Sequence, residues 1–317
     1  MRAFIFPGQG SQAVGMGKAL FDASPVAREV FQEVDDALGQ KLFQLMSEGP
    51  EDQLTLTENA QPAIMANAIA TLRVLEKEGG VTLAAKADYV AGHSLGEYSA
   101  LCAAGAFDLA TTARLLKTRG QAMQAAVPVG VGAMAALLGA DIDTAQKLAD
   151  AAAEGEVCTV ANDNDPSQVV ISGHKGAVER AVALVKDYGI KRGVLLPVSA
   201  PFHCPLMQPA ADAMAEALGA NPPVAPLIPV VANVTASPVS DADTIRDLLV
   251  QQITGRVRWR ESMTWMATDG GVTRFAEIGS GKVLTGMAKR IAPDADAVAL
   301  NTPEDLEAFA KSMNGAA

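Results

Sequence analysis

Residues 88–97 read Asp88-Tyr-Val-Ala-Gly-His-Ser-Leu-Gly-Glu97, with the pattern Gly-x-Ser-x-Gly between a short apolar run and an alanine-rich stretch. The apolar run predicts a strand, and the residues from about Glu97 to Ala104 predict a helix. A strand-to-helix turn of this kind is typical of a nucleophile elbow, which lifts one hydroxyl clear of a sheet. We therefore predict that Ser94 is a nucleophile. The alternative is a tight glycine turn around an ordinary buried serine.

The backbone amide of Leu95 is a candidate for stabilising an oxyanion on an acyl group at Ser94, and a second amide, that of Gln9, could face a site. The Leu95 amide would lie at the start of the predicted helix, where backbone N–H groups have no partner within the helix. Gln9 lies in the loop Pro7-Gly-Gln-Gly-Ser-Gln12, which follows a predicted strand from Arg2 to Phe6. Its glycine neighbours allow the backbone a close approach, so this loop is suited to present an amide to a site. A plain loop before a helix is the alternative.

Composition limits the class of protein. The chain has 317 residues, of which 49% are hydrophobic and 19% are charged, so it can bury a large core. The net charge of −11 argues against binding to nucleic acid. No stretch has the roughly 18 apolar residues of a membrane-spanning helix, and the N-terminal apolar run is too short for a signal peptide. The three cysteines are scattered without metal-ligand spacing, so we expect reduced thiols, no metal site and a cytoplasmic protein.

The order of the predicted elements indicates an α/β fold with a large and a small domain. Residues 128–198 alternate as strand, helix, strand, strand, helix and strand, which is the order of a ferredoxin-like domain. Within it, Asn162-Asp-Asn-Asp-Pro166 predicts a turn between the second and third strands. Residues 1–127 and 199–317 would form a large α/β-hydrolase-like catalytic domain with a central, mostly parallel sheet.

His203 is the candidate general base. It lies in a proline-flanked loop, residues 201–205, and the chain contains only two other histidines. His93 directly precedes Ser94, so its side chain should leave the turn in a different direction. His174 is typical of a turn residue at the start of a helix. If Ser94 needs an imidazole base, His203 is therefore the candidate, although a lone histidine is usually structural.

Arg119 is a candidate binding residue. It lies near the end of a predicted helix from Leu109 to Ala125, among apolar residues. That placement is compatible with a guanidinium that points inward, although an arginine on a helix is usually solvated.

Six stretches, taken in their order along the chain, form a specific combination. They are Pro7-Gly-Gln-Gly-Ser-Gln12, Gly92-His-Ser-Leu-Gly-Glu97, Arg119-Gly-Gln-Ala-Met123, Asn164-Asp-Pro-Ser-Gln-Val-Val-Ile-Ser-Gly173, Phe202-His-Cys-Pro-Leu-Met207 and Glu277-Ile-Gly-Ser-Gly-Lys-Val-Leu284. Together they resemble the malonyl-CoA:acyl carrier protein transacylase family, which loads malonyl groups in bacterial type II fatty acid synthesis. The resemblance extends from Phe6 to about Arg290.

The resemblance implies a role for each candidate residue. Ser94 would be acylated, His203 would be its base, and the amides of Gln9 and Leu95 would form the oxyanion hole. Arg119 would bind the free carboxylate of the malonyl group, a task that suits a bidentate guanidinium.

Two further positions take roles from the resemblance. The main-chain carbonyl of Gln252 would orient His203 in place of an aspartate, although Asp241 or Asp243 could do so instead. Phe202, directly before the histidine, would favour malonyl over methylmalonyl groups.

The implied reaction is a ping-pong transfer from malonyl-CoA to the phosphopantetheine thiol of acyl carrier protein, with no metal and no resident cofactor. Acyl carrier protein is acidic and so is this chain, so docking would need a local basic surface. Candidates by composition are Lys191, Arg192, Lys282, Lys289 and Arg290.

Three alternatives stay open. A serine esterase or thioesterase would share the elbow but would need no buried arginine. An acyltransferase of polyketide synthesis would use the same chemistry with another carrier. A catalytically silent binding protein on the same fold would have no need to keep Ser94, His203 and Arg119.

Overall fold

The computed structural model describes residues 1–315 and contains two β-sheets with helices packed around them. In chain order, the strands are β1 (Arg2–Phe6), β2 (Tyr89–Gly92), β3 (Gly132–Leu138), β4 (Cys158–Asp165), β5 (Gln168–His174), β6 (Arg192–Leu195), β7 (Val230–Val231), β8 (Pro238–Val239), β9 (Arg274–Ile278) and β10 (Asp296–Leu300).

The α-helices follow the same numbering, and a short 3-10 helix covers Pro205–Met207. In chain order, they are α1 (Lys18–Ala23), α2 (Pro25–Leu38), α3 (Leu42–Glu48), α4 (Glu51–Thr55), α5 (Thr57–Lys77), α6 (Leu83–Lys86), α7 (Gly96–Ala103), α8 (Leu109–Ala125), α9 (Ile142–Ala153), α10 (Lys175–Leu184), α11 (Gln208–Ala220), α12 (Ala242–Thr254), α13 (Trp259–Ala267), α14 (Val283–Ile291) and α15 (Pro303–Asn314).

The larger sheet has six strands in the order β10-β9-β1-β2-β7-β8. All neighbouring pairs are parallel except β7 with β8, which confirms the predicted mostly parallel sheet. Strand β1 is buried from Ala3 to Phe6, as expected for a central parallel strand that is covered on both faces. In the register of β1 with β2, Phe6 lies opposite Gly92. The loops after these two strands therefore start at the same edge of the sheet.

Helices α5 and α8 carry polar groups into the core beside this edge. Most of α5 is buried, from Thr57 to Leu75, and it packs against α2, α7 and α8. Helix α8 is capped at its start by the side chain of Asp108 and buries Arg119 and Met123 near its end. Polar side chains on the contact face of these two helices are therefore withdrawn from water.

The smaller sheet has four strands in the order β4-β5-β3-β6, and every neighbouring pair is antiparallel. Its two faces bury different residues because side chains alternate along a strand. On β3, Ala135 and Leu137 face a separate apolar cluster with α9 and α10, whereas Met134 and Ala136 belong to the main core. One face of the small sheet thus packs against the main core.

The predicted turn at Asn162–Pro166 is wrong in its bounds, because the turn between β4 and β5 lies at Pro166 and Ser167. Strand β4 continues to Asp165 with two register irregularities against β5, and Asn162 forms a parallel bridge with Val257. Asparagine and aspartate favour turns, but their preference is overridden here by partners from distant segments. Asp163 accepts two hydrogen bonds from Arg260, at 3.0 and 2.8 Å, and Asp165 accepts two from Arg290.

The Asp165 contact also changes the interpretation of the basic residues. Arg290 forms an ion pair with a carboxylate that is almost fully buried, so it links α14 to the small sheet. Its charge is therefore neutralised within the chain, unlike that of a free docking residue. Within residues 1–315, no helix has both the length and the apolarity needed to cross a bilayer, and all three cysteines are unpaired.

Candidate active site

The elbow lies between β2 and α7 and depends on two glycines. Ser94 has a φ of 53°, a left-handed conformation that is uncommon for a residue with a side chain. A Cβ atom on Gly92 would lie 1.8 Å from the Gly96 carbonyl oxygen, and one on Gly96 would lie 2.3 Å from the Phe6 carbonyl oxygen. The turn can therefore close against β1 only with glycine at both positions.

Ser94 and His203 form a hydrogen-bonded pair. The distance from the serine Oγ to the imidazole Nε2 is 2.8 Å, and Nδ1 of the same ring lies 2.8 Å from the main-chain oxygen of Gln252. A carbonyl can only accept a hydrogen bond, so Nδ1 carries the proton and the Nε2 lone pair faces the hydroxyl. This is the tautomer that can remove the proton from Ser94.

The imidazole is neutral in this environment. His203 is only 4% exposed, and burial lowers its pKa to about 3, with a further contribution from the nearby positive charge of Arg119. The hydrogen bond to the Gln252 carbonyl opposes this shift because it stabilises the imidazolium. His203 is therefore available as a base at neutral pH.

The two aspartates that could have oriented His203 lie elsewhere. Asp241 is exposed and caps the start of α12, where it accepts hydrogen bonds from Thr244. Asp243 is also exposed and pairs with Arg246. The histidine is instead reached from the other end of α12, at Gln252.

Arg119 places a buried positive charge next to the serine. It is 1% exposed, and its Nη2 donates hydrogen bonds to Ser94 Oγ at 3.1 Å and to Gln252 Oε1 at 2.8 Å. Its Nη1 donates to Gln61 Oε1 at 2.7 Å, and its Cζ lies 5.7 Å from the centre of the Tyr98 ring. No carboxylate oxygen of residues 1–315 lies within 4.0 Å of this guanidinium.

This arrangement is unusual energetically. Burial lowers the pKa of Arg119, yet an arginine side chain keeps its proton in proteins. The charge of Glu97 opposes this shift, but Glu97 is linked to Arg119 only through Gln252. A buried cation with no carboxylate in direct contact is expensive unless an anion arrives to pair with it. The site is therefore complementary to a ligand with a carboxylate.

Gln9 and Leu95 present backbone amides near the elbow. A Cβ atom on Gly8 would lie 2.6 Å from the His93 carbonyl oxygen, so the loop that carries Gln9 runs directly against the turn. The Gln9 side chain is held by Thr57, whose hydroxyl donates to its Oε1 at 2.9 Å. No acceptor within residues 1–315 is assigned to either backbone amide. Both are therefore able to donate to a ligand.

The other two histidines take no part in this pair. His93 Nε2 lies 2.8 Å from Asn164 Oδ1 on β4, so its ring turns away from the serine hydroxyl. His174 lies at the start of α10, where its Nδ1 accepts a hydrogen bond from the Val157 amide.

A cavity of about 330 Å³ opens onto the serine. Ser94, His203 and Arg119 lie on its polar side, and the nearly buried Phe202 contributes to an apolar wall. The small sheet contributes part of the wall as well. Its further lining residues are Gln9, Gly10, Gln12, Thr55, Gln61, His93, Met123, Met134, Asn162, Asn164, Val170, Leu196, Pro197 and Val198.

Three buried polar residues that we did not predict complete the site. Asn233 accepts a hydrogen bond from the Ser94 amide at 2.8 Å and donates one to the Gly92 carbonyl at 2.7 Å, so it fixes the turn. Gln61 supports Arg119, and Glu97 supports Gln252. Two signals were available in the sequence: Asn233 lies two residues after a short apolar strand, and Glu97 closes the motif that contains Ser94.

Comparisons with known proteins agree along nearly the whole chain. Residues 3–299 match the acyl transferase domain. This chain belongs to the acyl transferase family. The resemblance found in its motifs is thereby confirmed, and the chain is an acyltransferase.

Individual relatives of this acyltransferase share a name. Proteins named malonyl CoA-acyl carrier protein transacylase are 47% identical in Escherichia coli K12 and 44% identical in Bacillus subtilis 168, each over 306 residues. These alignments cover 96% of this chain in both cases and 97% and 95% of the relatives.

Solved structures of other proteins have a fold very similar to that of this acyltransferase. The acyl-carrier-protein-S-malonyltransferase of Bartonella henselae has a TM-score of 0.96 at 55% identity and covers 99% of both chains. A malonyl-transacylase solved in complex with a type II PKS acyl-carrier protein has a TM-score of 0.94 at 42% identity, covering 98% of this chain and 99% of its own.

Proposed function

We propose that this acyltransferase transfers the malonyl group from malonyl-CoA to the phosphopantetheine thiol of acyl carrier protein, through a malonyl ester of Ser94, and so supplies fatty acid synthesis. The observation that carries the proposal is the unpaired Arg119 guanidinium, 3.1 Å from the serine Oγ. A malonyl group has a carboxylate at the end away from the ester, whereas an acetyl group has none. Arg119 therefore provides a physical basis for preferring malonyl.

In the first half-reaction, His203 Nε2 takes the proton of Ser94 as Oγ attacks the thioester carbonyl and forms the new C–O bond. The amides of Gln9 and Leu95 stabilise the oxyanion, each contributing about 3 kcal/mol, as is typical of such donors. Collapse of the intermediate breaks the C–S bond. The proton held by His203 passes to the departing thiolate, and CoA leaves as a thiol.

In the second half-reaction, the phosphopantetheine thiol gives its proton to His203 and attacks the ester of Ser94. The C–S bond forms, the C–O bond breaks, and His203 returns the proton to Oγ. Proton transfer and oxyanion stabilisation are both supplied by protein groups, so the reaction as written requires no metal and no resident cofactor. The unpaired cysteines are in keeping with a cytoplasmic location.

We assign the catalytic groups to a large domain of the α/β-hydrolase-like type, residues 1–127 and 199–317, of which 316 and 317 lie outside the described residues. Residues 128–198 would form a ferredoxin-like small domain. The antiparallel order β4-β5-β3-β6, with α9 and α10 packed on one face, supports this division. In this layout the small domain covers the acyl-binding cavity, and Phe202 limits the bulk of the acyl group that fits.

Intact-protein mass spectrometry tests the proposal directly. The protein is mixed briefly with malonyl-CoA or acetyl-CoA, and Ser94→Ala serves as the matched control. We expect an adduct of malonyl mass that requires Ser94, is weak with acetyl-CoA and disappears when acyl carrier protein is added. Release of free malonate without transfer to the carrier would support the thioesterase alternative instead.

A carrier of polyketide synthesis is the second candidate for the acceptor. It is favoured by one observation, namely that a relative of 42% identity was solved with such a carrier. Measuring transfer from the malonyl adduct to a fatty acid carrier and to a type II polyketide carrier, at equal concentrations, separates the two. Faster transfer to the polyketide carrier would overturn the assignment to fatty acid synthesis.

A further inference from the structure

Glu97 is a buried acid to which the reaction above assigns no task. It lies in the first turn of α7, three residues after the nucleophile, and is 3% exposed. Its Oε2 accepts hydrogen bonds from the side chain of Gln252 at 2.7 Å and from the Asn233 amide at 3.2 Å. Burial raises its pKa to about 7, and these two hydrogen bonds oppose the shift.

The side-chain amide of Gln252 connects Glu97 to Arg119. Its Oε1 accepts a hydrogen bond from Arg119 Nη2 at 2.8 Å, while its Nε2 donates to Glu97 and to the Ser94 carbonyl at 3.0 Å. A guanidinium can only donate, and Glu97 Oε2, which also accepts from the Asn233 amide, is an acceptor at this place. Both neighbours therefore select the same orientation of the amide. A flip of 180° would turn the NH₂ group toward Arg119 and the oxygen toward Glu97.

The nitrogen that Gln252 supports is the one nearest the nucleophile. Arg119 Nη2 carries two hydrogens, which are directed to Gln252 Oε1 and to Ser94 Oγ. The orientation of the Gln252 amide therefore fixes the part of the guanidinium that faces the acyl group. His203 is held by the main-chain oxygen of Gln252 and does not depend on this side chain.

We propose that Glu97 is a positioning residue for malonyl recognition: its carboxylate oxygen holds the Gln252 amide so that the amide oxygen keeps Arg119 in place for the acyl carboxylate. The inference rests on the proposed function, because it assumes that Arg119 binds that carboxylate. Glu97 acts as a hydrogen-bond acceptor at a defined place, rather than as a charge.

Three substitutions of Glu97 distinguish a role as a hydrogen-bond acceptor from a role as a charge. Glu97→Gln keeps an oxygen at the same distance, since the Asn233 amide still requires an acceptor there. Glu97→Asp keeps the charge but withdraws the oxygen by one methylene group, and Glu97→Met removes the acceptor. For each variant, kcat and KM are measured with malonyl-CoA and with acetyl-CoA, using acyl carrier protein as the acceptor.

We expect Glu97→Gln to retain the malonyl:acetyl ratio of kcat/KM to within about threefold. Glu97→Asp and Glu97→Met should lower the ratio by about tenfold or more, the effect of misplacing one hydrogen bond to a charged group. The loss should appear mainly as a higher KM for malonyl-CoA, because the carboxylate is already bound in the ground state. Acetyl transfer, in which no acyl carboxylate meets Arg119, should fall much less.

A buried acid elsewhere provides the control. Glu277 is fully buried and accepts hydrogen bonds from the start of α14, so Glu277→Gln tests the loss of a buried carboxylate far from Arg119 along the chain. We expect its malonyl:acetyl ratio to be unchanged. Thermal unfolding and circular dichroism show whether each variant folds. If Glu97→Met does not fold, the malonyl:acetyl ratio of Glu97→Asp tests the inference.

Two outcomes would overturn the inference. An equal loss with both substrates in Glu97→Asp and Glu97→Met would show a purely structural role. A ratio that falls in Glu97→Gln but survives in Glu97→Asp would show that the charge matters. Failure of the unmodified protein to transfer malonyl at all would instead overturn the proposed function.

Discussion

At the scale of single residues, Arg119 is a buried positive charge that can bind an anionic ligand. Its two terminal nitrogens are bound by the neutral oxygens of Gln61, Gln252 and Ser94, so hydrogen-bonding capacity is used without neutralising the charge. The face of Tyr98 lies beside the guanidinium and adds a favourable cation–π contact. An incoming carboxylate would therefore meet a fixed, desolvated cation.

Replacing Arg119 should change substrate preference as well as rate. We expect Arg119→Ala to lower kcat/KM for malonyl-CoA by about 100-fold or more, since removing one partner of a buried ion pair costs about 3–5 kcal/mol. Acetyl transfer should be affected less, because acetyl has no carboxylate. Steady-state assays with both thioesters measure the ratio, and Arg114→Ala, an exposed arginine of the same helix, is the matched control. Survival of malonyl preference in Arg119→Ala would contradict the assigned role.

The same variant should alter the pH dependence. The positive charge of Arg119 contributes to the low pKa of His203, so removing it should raise that pKa, although burial still holds it below its usual value. Since the neutral imidazole is the active form, a higher pKa moves the acid limb of the rate profile to higher pH. The profile of kcat/KM with acetyl-CoA reports this group in the free enzyme. A limb that stays in place, or moves to lower pH, would show that Arg119 does not act on His203.

At the scale of elements, the elbow depends on close contact between β1 and α7. A Cβ atom on Gly96 would lie 2.3 Å from the Phe6 carbonyl oxygen and 2.8 Å from the Pro7 carbonyl oxygen. Both are backbone atoms, so they cannot move without separating the strand from the helix.

Gly96→Ala should therefore destabilise the protein and disturb the nucleophile. We expect a loss of about 1–3 kcal/mol in the free energy of unfolding, the usual effect of overpacking, together with a large loss of acyl-enzyme formation. Gly219→Ala is the matched control, because a Cβ atom there meets nothing within 4 Å. In a helix it should stabilise by about 0.5–1 kcal/mol. Equal effects of the two substitutions in urea denaturation would refute the steric argument.

At the scale of the whole molecule, ion pairs join the small sheet to α13 and α14. Asp163 is fully buried on β4, and its carboxylate is bound in a bidentate manner by Arg260 of α13. Burial raises the pKa of Asp163, and the hydrogen bonds from Arg260 oppose this shift. Because small-sheet residues line the cavity, this junction also holds one wall of the site.

Arg260→Ala should destabilise the folded protein because it leaves the buried Asp163 carboxylate without its partner. We expect a loss of about 3 kcal/mol or more in the free energy of unfolding at pH 7, since one partner of a buried pair is removed. Without Arg260, the pKa of Asp163 rises further above its unfolded value. The folded state then binds more protons than the unfolded state, so the deficit should shrink as pH falls toward 5.

Urea denaturation at both pH values checks this prediction. Lys18→Ala, which breaks an exposed ion pair with Asp22, is the control and should leave stability nearly unchanged at either pH. A deficit for Arg260→Ala that grows on acidification would mean that Asp163 is not the group responsible.

The sequence by itself determined the elements that depend on near neighbours. The elbow at Ser94 follows from a strand, two glycines and a helix within ten residues, and the strand–helix order of residues 128–198 follows from local periodicity. The motif order was also sufficient to identify the family. Roles that depend on unobserved chemistry, such as those of Gln9 and Leu95, stay predictions.

Only the tertiary structure decided how distant residues meet. Arg119 and Gln252 are 133 residues apart, and Ser94 and Asn233 are 139 apart, so no local pattern could show that their side chains bond. The same holds for β4, where partners from distant segments hold Asn162 to Asp165 in a strand although these residue types favour turns. The physical reason is that a buried polar group must find a partner, and the partner is chosen by packing across the core rather than by position along the chain.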